Sequence, residues 1–217
     1  MDFIQYTPEI IIALTTISSI IGFGNQEYRN RNIFSVSAIL GKPRQWDRLV
    51  TSAGLHGDWM HLIFNMMTLY FFSDIIMYTF GVWAYLAIYF GSVLGGGLLA
   101  LWVHRREYYY TALGASGGVV GILFAAIAIY PELPLNIMFI PIGIPGWIFG
   151  IGYLAFSIYG MQKKLGNMGH DAHLGGAFVG LTLAIIFEPR LLQINGLFIA
   201  IMVIPLIALA YFVWKKK

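Results

Sequence analysis

Ser116 and His173 are the two residues of this chain whose types and setting point most directly to covalent chemistry. Ser116 lies in Gly114-Ala115-Ser116-Gly117-Gly118 and opens an apolar stretch. His173, 57 residues later, lies in Ala172-His173-Leu174-Gly175-Gly176 and opens another. A serine hydroxyl becomes an effective nucleophile when a neighbouring base accepts its proton, and histidine is the commonest such base. Taken singly, each has an ordinary explanation: a small residue at a packing seam, and a polar side chain bonded to a neighbouring helix. A titratable group within an apolar span is rare, however, and leans towards function. Together they predict hydrolysis of a peptide bond buried in a membrane.

The elements that must position them are transmembrane helices. The 217-residue chain is 59% hydrophobic and 11% charged, which excludes an ordinary soluble domain. A spanning helix takes roughly 20 apolar residues. Spans are expected near 8–24, 59–79, 81–103, 115–130, 136–160, 172–188 and 194–214, giving an all-α polytopic bundle. The run from Met60 to His104 is too long for one span and should turn near Ser73-Asp74 or Gly81. Seven helices is the best count, falling to six if 136–144, with prolines close by, is loop. The domain reading is a six-helix core over 1–190, with a further span and basic tail over 191–217. The first helix is read as a retained span, since it lacks a basic n-region and carries Asp2 and Glu9. Lys215 to Lys217 read as an interfacial anchor. The connection 25–58 is long and polar-rich but holds Ile33, Phe34, Val36, Ile39, Leu40 and Trp46, so it should be ordered and fold onto the membrane surface.

Prolines give the depth of the pair. Pro131 and Pro189 mark exits of the fourth and sixth spans, 15 residues after Ser116 and 16 after His173. At 1.5 Å per residue those are rises of about 22 and 24 Å, against roughly 30 Å of hydrocarbon. Both side chains should therefore sit at similar depth below one surface. Gly176 and Gly180 follow His173 at i+3 and i+7, and Gly117 and Gly121 repeat the four-residue spacing beside Ser116. Small residues so spaced allow close helix approach. A serine nucleophile also needs donors for the developing oxyanion. His61 and Asn65 share a helix face at the start of the second span and are uncharged donors, and the helix N-terminus at Ser116 adds backbone N–H groups. His56 is expected to tie down the long loop.

These motifs together resemble the rhomboid family of intramembrane serine proteases. The resemblance rests on Arg48 in the first loop, the His56…His61…Asn65 pattern, Gly114-x-Ser116-Gly117, and Ala172-His173-Leu174-Gly175-Gly176 continuing to Gly180. It implies Ser116 as nucleophile, His173 as base and His61 with Asn65 as the oxyanion site. It further implies a membrane-embedded first loop, transmembrane proteins as substrates and no cofactor. Two departures stand out. Many members carry an aromatic residue one turn after the serine, stacked on the histidine, where this chain has Val120. Many also carry Trp directly before the loop arginine, where this chain reads Trp46-Asp47-Arg48.

Other readings are weaker. A metal site from His56, His61, His170 and His173, with Asp58 or Asp171, lacks the His-Glu-x-x-His pattern and leaves Ser116 idle. An aspartyl protease needs two intramembrane acids, and Asp74 has no partner mid-span. A non-proteolytic binder of transmembrane clients would typically lack the serine or histidine. A transporter would usually show inverted repeats or mid-membrane charges. The absence of Cys excludes thiol chemistry, and no basic cluster suits nucleic acid. The expected location is a multi-pass position in a cell membrane. With seven spans, every Lys and Arg except Arg190 falls on the side holding the first loop. The positive-inside rule makes that side cytoplasmic. The family resemblance makes it extracytoplasmic, and that orientation is the expectation here, since five of these residues lie in a loop folded onto the membrane.

Overall fold

A computed structural model describes residues 3–137, 140–163 and 169–215. Among them, long helices follow one another as α1 (Thr7–Gly24), α2 (Trp59–Phe80), α3 (Val82–His104), α4 (Ser116–Ile129), α5 (Gly146–Lys163), α6 (His170–Phe187) and α7 (Gly196–Lys215). The chain is a mostly helical membrane bundle. By length and composition, α2, α3, α6 and the first helix (from Ile4) suffice to cross a membrane, while α4 and the apolar part of α7 are shorter. Short strands accompany the helices: β1 (Phe34–Ser35) pairs antiparallel with β2 (Thr111–Ala112), and β3 (Pro134–Ile137) with β4 (Ile140–Pro145).

The break between the second and third spans falls at Gly81, whose φ of +80° suits glycine. Ser73 does not interrupt α2, because its hydroxyl is buried and donates back to the Leu69 carbonyl at 2.6 Å. The fifth span begins ten residues later than the expected position 136, at Gly146. Pro134, Pro141 and Pro145 supply no backbone N–H and push their predecessors towards extended geometry, so this stretch forms the β3–β4 hairpin instead. Residues 138 and 139 of that stretch, 164–168 of the fifth connection, and Lys216 and Lys217 of the expected anchor lie outside the described residues.

The first loop is ordered, with short helices at Gln26–Asn32, Val36–Leu40 and Arg48–Thr51. Arg48 is buried and organises it: Nε donates to Gln45 Oε1 at 2.7 Å, and Nη1 donates to the carbonyls of Asn30 and Ile33 at 2.8 and 2.7 Å. Phe34, Val36, Ile39 and Leu49 bury themselves with Ala100 and Leu101 of α3, forming a small core separate from the main one. At the loop surface Arg31 donates to Asp47 at 2.7 Å, and this hydrogen bond holds the Asp47 carboxyl below its usual range.

The main core lies where α3, α4 and α6 meet, and glycines let their backbones touch. A Cβ on Gly176 would collide with the Gly117 carbonyl oxygen and lie 2.8 Å from its carbon. One on Gly180 would collide with the Gly121 carbonyl oxygen and lie 2.5 Å from its Cα. A second seam, which the sequence reading missed, joins α3 to α6: a Cβ on Gly175 would stand 2.7 Å from the Gly95 carbonyl oxygen, and one on Gly96 2.5 Å from that of Ala172. Helix α7 is joined to this core by Asn195, whose buried amide donates to the carbonyls of Ala128 and Ile129 at 2.9 and 3.0 Å, completing the C-terminus of α4.

Because the opposing atoms at the α4–α6 seam are backbone, no side-chain adjustment can relieve an added group. Gly176→Val or Gly180→Val should therefore cost at least the ~1–3 kcal/mol typical of overpacking. A thermal melt in detergent checks this, and a melting temperature matching the parent would show that the seam is looser than described.

Candidate active site

Helix α4 begins at Ser116, and no side chain caps it; the residue before it, Ala115, has no hydroxyl or carboxylate to do so. The N–H groups of its first turn, which no helix satisfies internally, are therefore also without a capping side chain. Helix α6 begins at His170, so His173 lies in its first turn. The α4–α6 glycine seam brings these two ends together, and His173 Nε2 lies 2.8 Å from Ser116 Oγ. His173 is nearly buried and Ser116 is partly exposed. The two side chains expected at similar depth are thus in direct contact.

Gly114 precedes this turn with φ +129°, a region open to glycine. A Cβ here would stand 2.8 Å from His61 Cε1 and 3.7 Å from Ser116 Oγ. The His61 ring and the serine hydroxyl therefore flank the same glycine. Asn65 lies one turn further along α2, buried, with its amide donating to the His61 carbonyl at 2.9 Å. The start of α2 is fixed by Asp58, whose carboxylate accepts the His61 N–H at 2.8 Å.

His56 sits behind this group, its ring edge-on to that of His61 with centroids 4.9 Å apart. Its Nε2 accepts the Ala115 N–H at 3.4 Å, so the ring proton belongs on Nδ1, which donates to Ser19 Oγ at 2.9 Å. Ser19 in turn donates to the Gly54 carbonyl at 2.9 Å. The Gly114 N–H donates to the Ser52 carbonyl at 3.0 Å. These bonds clamp the segment entering α4 against α1 and the first loop. Arg48, expected near the site, spends its hydrogen bonds within the loop, on Gln45, Asn30 and Ile33.

Two features near the site were not read from the sequence. His104, at the end of α3, places Nε2 3.3 Å from Asp171 Oδ2 in the first turn of α6 and Nδ1 3.0 Å from Glu107. Its ring stacks on Tyr110 with centroids 3.6 Å apart. The loop leading to Ser116 is thereby pinned to the helix bearing His173. Spacing alone does not reveal this, because His104 and Asp171 are far apart in sequence. The second feature is Tyr153 of α5, whose ring lies 5.8 Å from that of His173. The nearby aromatic run Trp147, Phe149, Tyr153 reads in sequence as ordinary membrane-helix composition.

Comparison with known proteins bears on the family of the chain. The chain is 32% identical over 171 residues to the RHOMBOID-like protein 12, mitochondrial, of Arabidopsis thaliana, covering 71% of this chain and 50% of that protein. It is 26% identical over 136 residues to Rhomboid protein 1, mitochondrial, of Saccharomyces cerevisiae, covering 61% of this chain and 39% of that one. It is also 26% identical over 193 residues to the Rhomboid protease AarA of Providencia stuartii, covering 78% of this chain and 66% of that protein. The chain therefore spans half or less of the length of the first two relatives. The Rhomboid domain model matches residues 43–190, a stretch that contains all of the side chains around Ser116 named above except Ser19. By that match, over well more than half of its length, the chain belongs to the rhomboid family.

Proposed function

We propose that the protein is an intramembrane serine endopeptidase that cleaves peptide bonds in or near transmembrane segments of other membrane proteins. The observation that carries this reading is the 2.8 Å approach of His173 Nε2 to Ser116 Oγ between two apolar helices. In this reading His173 takes the Ser116 proton as Oγ attacks the scissile carbonyl carbon. The tetrahedral oxyanion is met by the uncapped N–H groups at the start of α4 and by His61 and Asn65. Collapse of the intermediate breaks the C–N bond, with His173 returning the proton to the leaving amine. Water, activated by the same histidine, then hydrolyses the acyl ester. The groups given a chemical role here all lie within residues 43–190, and α7 joins the core from outside that stretch through Asn195.

The metal alternative has less support. Among the described residues no three His, Asp or Glu side chains are grouped as ligands, and the His170 and His173 rings lie edge-on with centroids 6.2 Å apart. The reading as a non-proteolytic client binder leaves the serine–histidine contact without a purpose.

Cleavage of a reporter transmembrane substrate tests the reading. Ser116→Ala and His173→Ala should each abolish it, and the double variant should lose little more, because the two groups act as a unit. Near-normal cleavage by either single variant would sink the dyad, and inhibition by chelators would restore the metal reading. Asn65→Ala should retain the nucleophile but lose about 10²–10³ in turnover, the usual effect of removing one oxyanion donor. Normal turnover in that variant would remove Asn65 from the site.

Orientation and membrane belong to the same proposal. The reading places the protein in a cell membrane with the first loop on the extracytoplasmic side, as the family resemblance implies, while the Arabidopsis and yeast relatives carry mitochondrial names. Arg44 is exposed in the same loop. Arg44→Cys, in this Cys-free chain, should react with an impermeant thiol reagent added to intact cells. Labelling only after permeabilisation would reverse the orientation or move the protein to an internal membrane.

A further inference from the structure

We propose that Tyr153 is the positioning residue for the His173 ring, so that the base is held in register by α5 and not by the helix carrying the nucleophile. The inference rests on the serine–histidine reading above and adds to it a third group.

The need for such a group follows from the seam itself. Backbone fixes the His173 Cα, but two side-chain torsions decide where Nε2 points. Among the described residues, the hydrogen bond made by the ring is the one to Ser116. The neighbours that bring the two helices together are glycines: Gly176 and Gly180 on α6, and Gly117 and Gly121 on α4. A seam built from residues without side chains achieves close approach but brackets no ring; His170, on the same helix as the base, meets the His173 ring only edge-on at 6.2 Å and 79°, which leaves its face to be covered from another helix. Val120, one turn into α4, is aliphatic and offers no aromatic face.

Tyr153 supplies one from across the groove. Its ring is tilted by 32° to His173 with centroids 5.8 Å apart, inside the 4.5–7 Å range of favourable aromatic pairs. Tyr153 is itself braced on two sides. Phe149, one turn earlier on α5, stacks on it at 6.0 Å and 22°, and the fully buried Phe124 of α4 meets it at 6.2 Å and 54°. The rings form a continuous run from α5 to the base. Gly150 seats that part of α5, since a Cβ there would stand 3.2 Å from Met202 Sδ of α7 and 3.5 Å from Phe124 Cε1. The position of the base thus depends on how α5 is seated, and through Met202 on α7 as well.

The test uses full-length protein in detergent, with Tyr153→Phe, Tyr153→Leu and Tyr153→Met compared with the parent and with Ser116→Ala as blank. Four quantities are read: kcat and KM on a transmembrane reporter, the rate of labelling by a small fluorophosphonate, and Tm. The small probe reports nucleophilicity without requiring a substrate helix to dock. Tyr153→Phe should stay within about twofold of the parent in kcat, because the ring and not the hydroxyl does the positioning. Tyr153→Leu should lower kcat and the labelling rate together by about tenfold or more, with KM nearly unchanged, since small misplacements of a catalytic group are expensive. Tyr153→Met reads the same effect in a more adaptable side chain. Parent-like kcat and labelling in the Leu or Met variant would overturn the assignment. So would a Phe variant as impaired as Leu, or a loss of Tm in both Leu and Met that accounts for their lost activity. Cleavage surviving in Ser116→Ala would instead overturn the dyad reading, so the two failures are distinguishable.

Discussion

The rest of this structure depends on backbone-to-backbone contact between α4 and α6. Gly176 rests on the Gly117 carbonyl and Gly180 on that of Gly121, leaving no room for a single methyl group at either place. In a membrane, where lipid tails are as apolar as leucine, helices gain from packing only as closely as their side chains allow. Glycine allows the most. The Ser116–His173 contact is a consequence of that seam, because two side chains in the first turns of their helices meet only if the axes are this close. The second seam, through Gly95, Gly96 and Gly175, fixes α6 against α3 and prevents it from rolling about the first.

The depth of the site has a separate cause. Helix α4 has 14 residues, about 21 Å of rise, which is short of the roughly 30 Å of hydrocarbon. A helix this short leaves one end below the surface, and in the proposed reading that end is the N-terminus with its serine. The backbone above it cannot be left exposed to lipid, and the first loop resolves that difficulty. The loop supplies the Ser52 carbonyl for the Gly114 N–H and His56 for the Ala115 N–H, while β1 pairs with β2 just ahead of the site. Arg48 holds the loop in that shape through backbone carbonyls. His104 and Asp171 tie the same segment to α6 from the other side. Loop and helices thus form one polar, hydrogen-bonded enclosure inside an apolar bundle.

Much of this was legible in sequence because it is written in local patterns. Apolar runs gave most of the helices, the prolines marked the ends of α4 and α6, and the four-residue glycine spacing gave the seam. What escaped was non-local or set by competition. The hairpin at 134–145 is apolar enough for a helix, but three prolines decide for extended chain. Gly95 and Gly96 sit in the triplet Gly95-Gly96-Gly97, where spacing does not say which glycine meets which helix. The His104–Asp171 contact and the approach of Tyr153 to His173 join residues on different helices, and one sequence carries no signal of such pairs. The absent aromatic at Val120 pointed to a missing brace without indicating where a replacement would come from.

The central claim is that the packing of α4 against α6 turns Ser116 into a nucleophile activated by His173. The most direct measurement is mass-spectrometric mapping of the residue modified when a fluorophosphonate reacts with the purified protein, comparing the parent with His173→Ala. The account predicts a single modified residue, Ser116, in the parent, and no modification of it in the variant. Modification at another residue, or of Ser116 at an equal rate without His173, would contradict it.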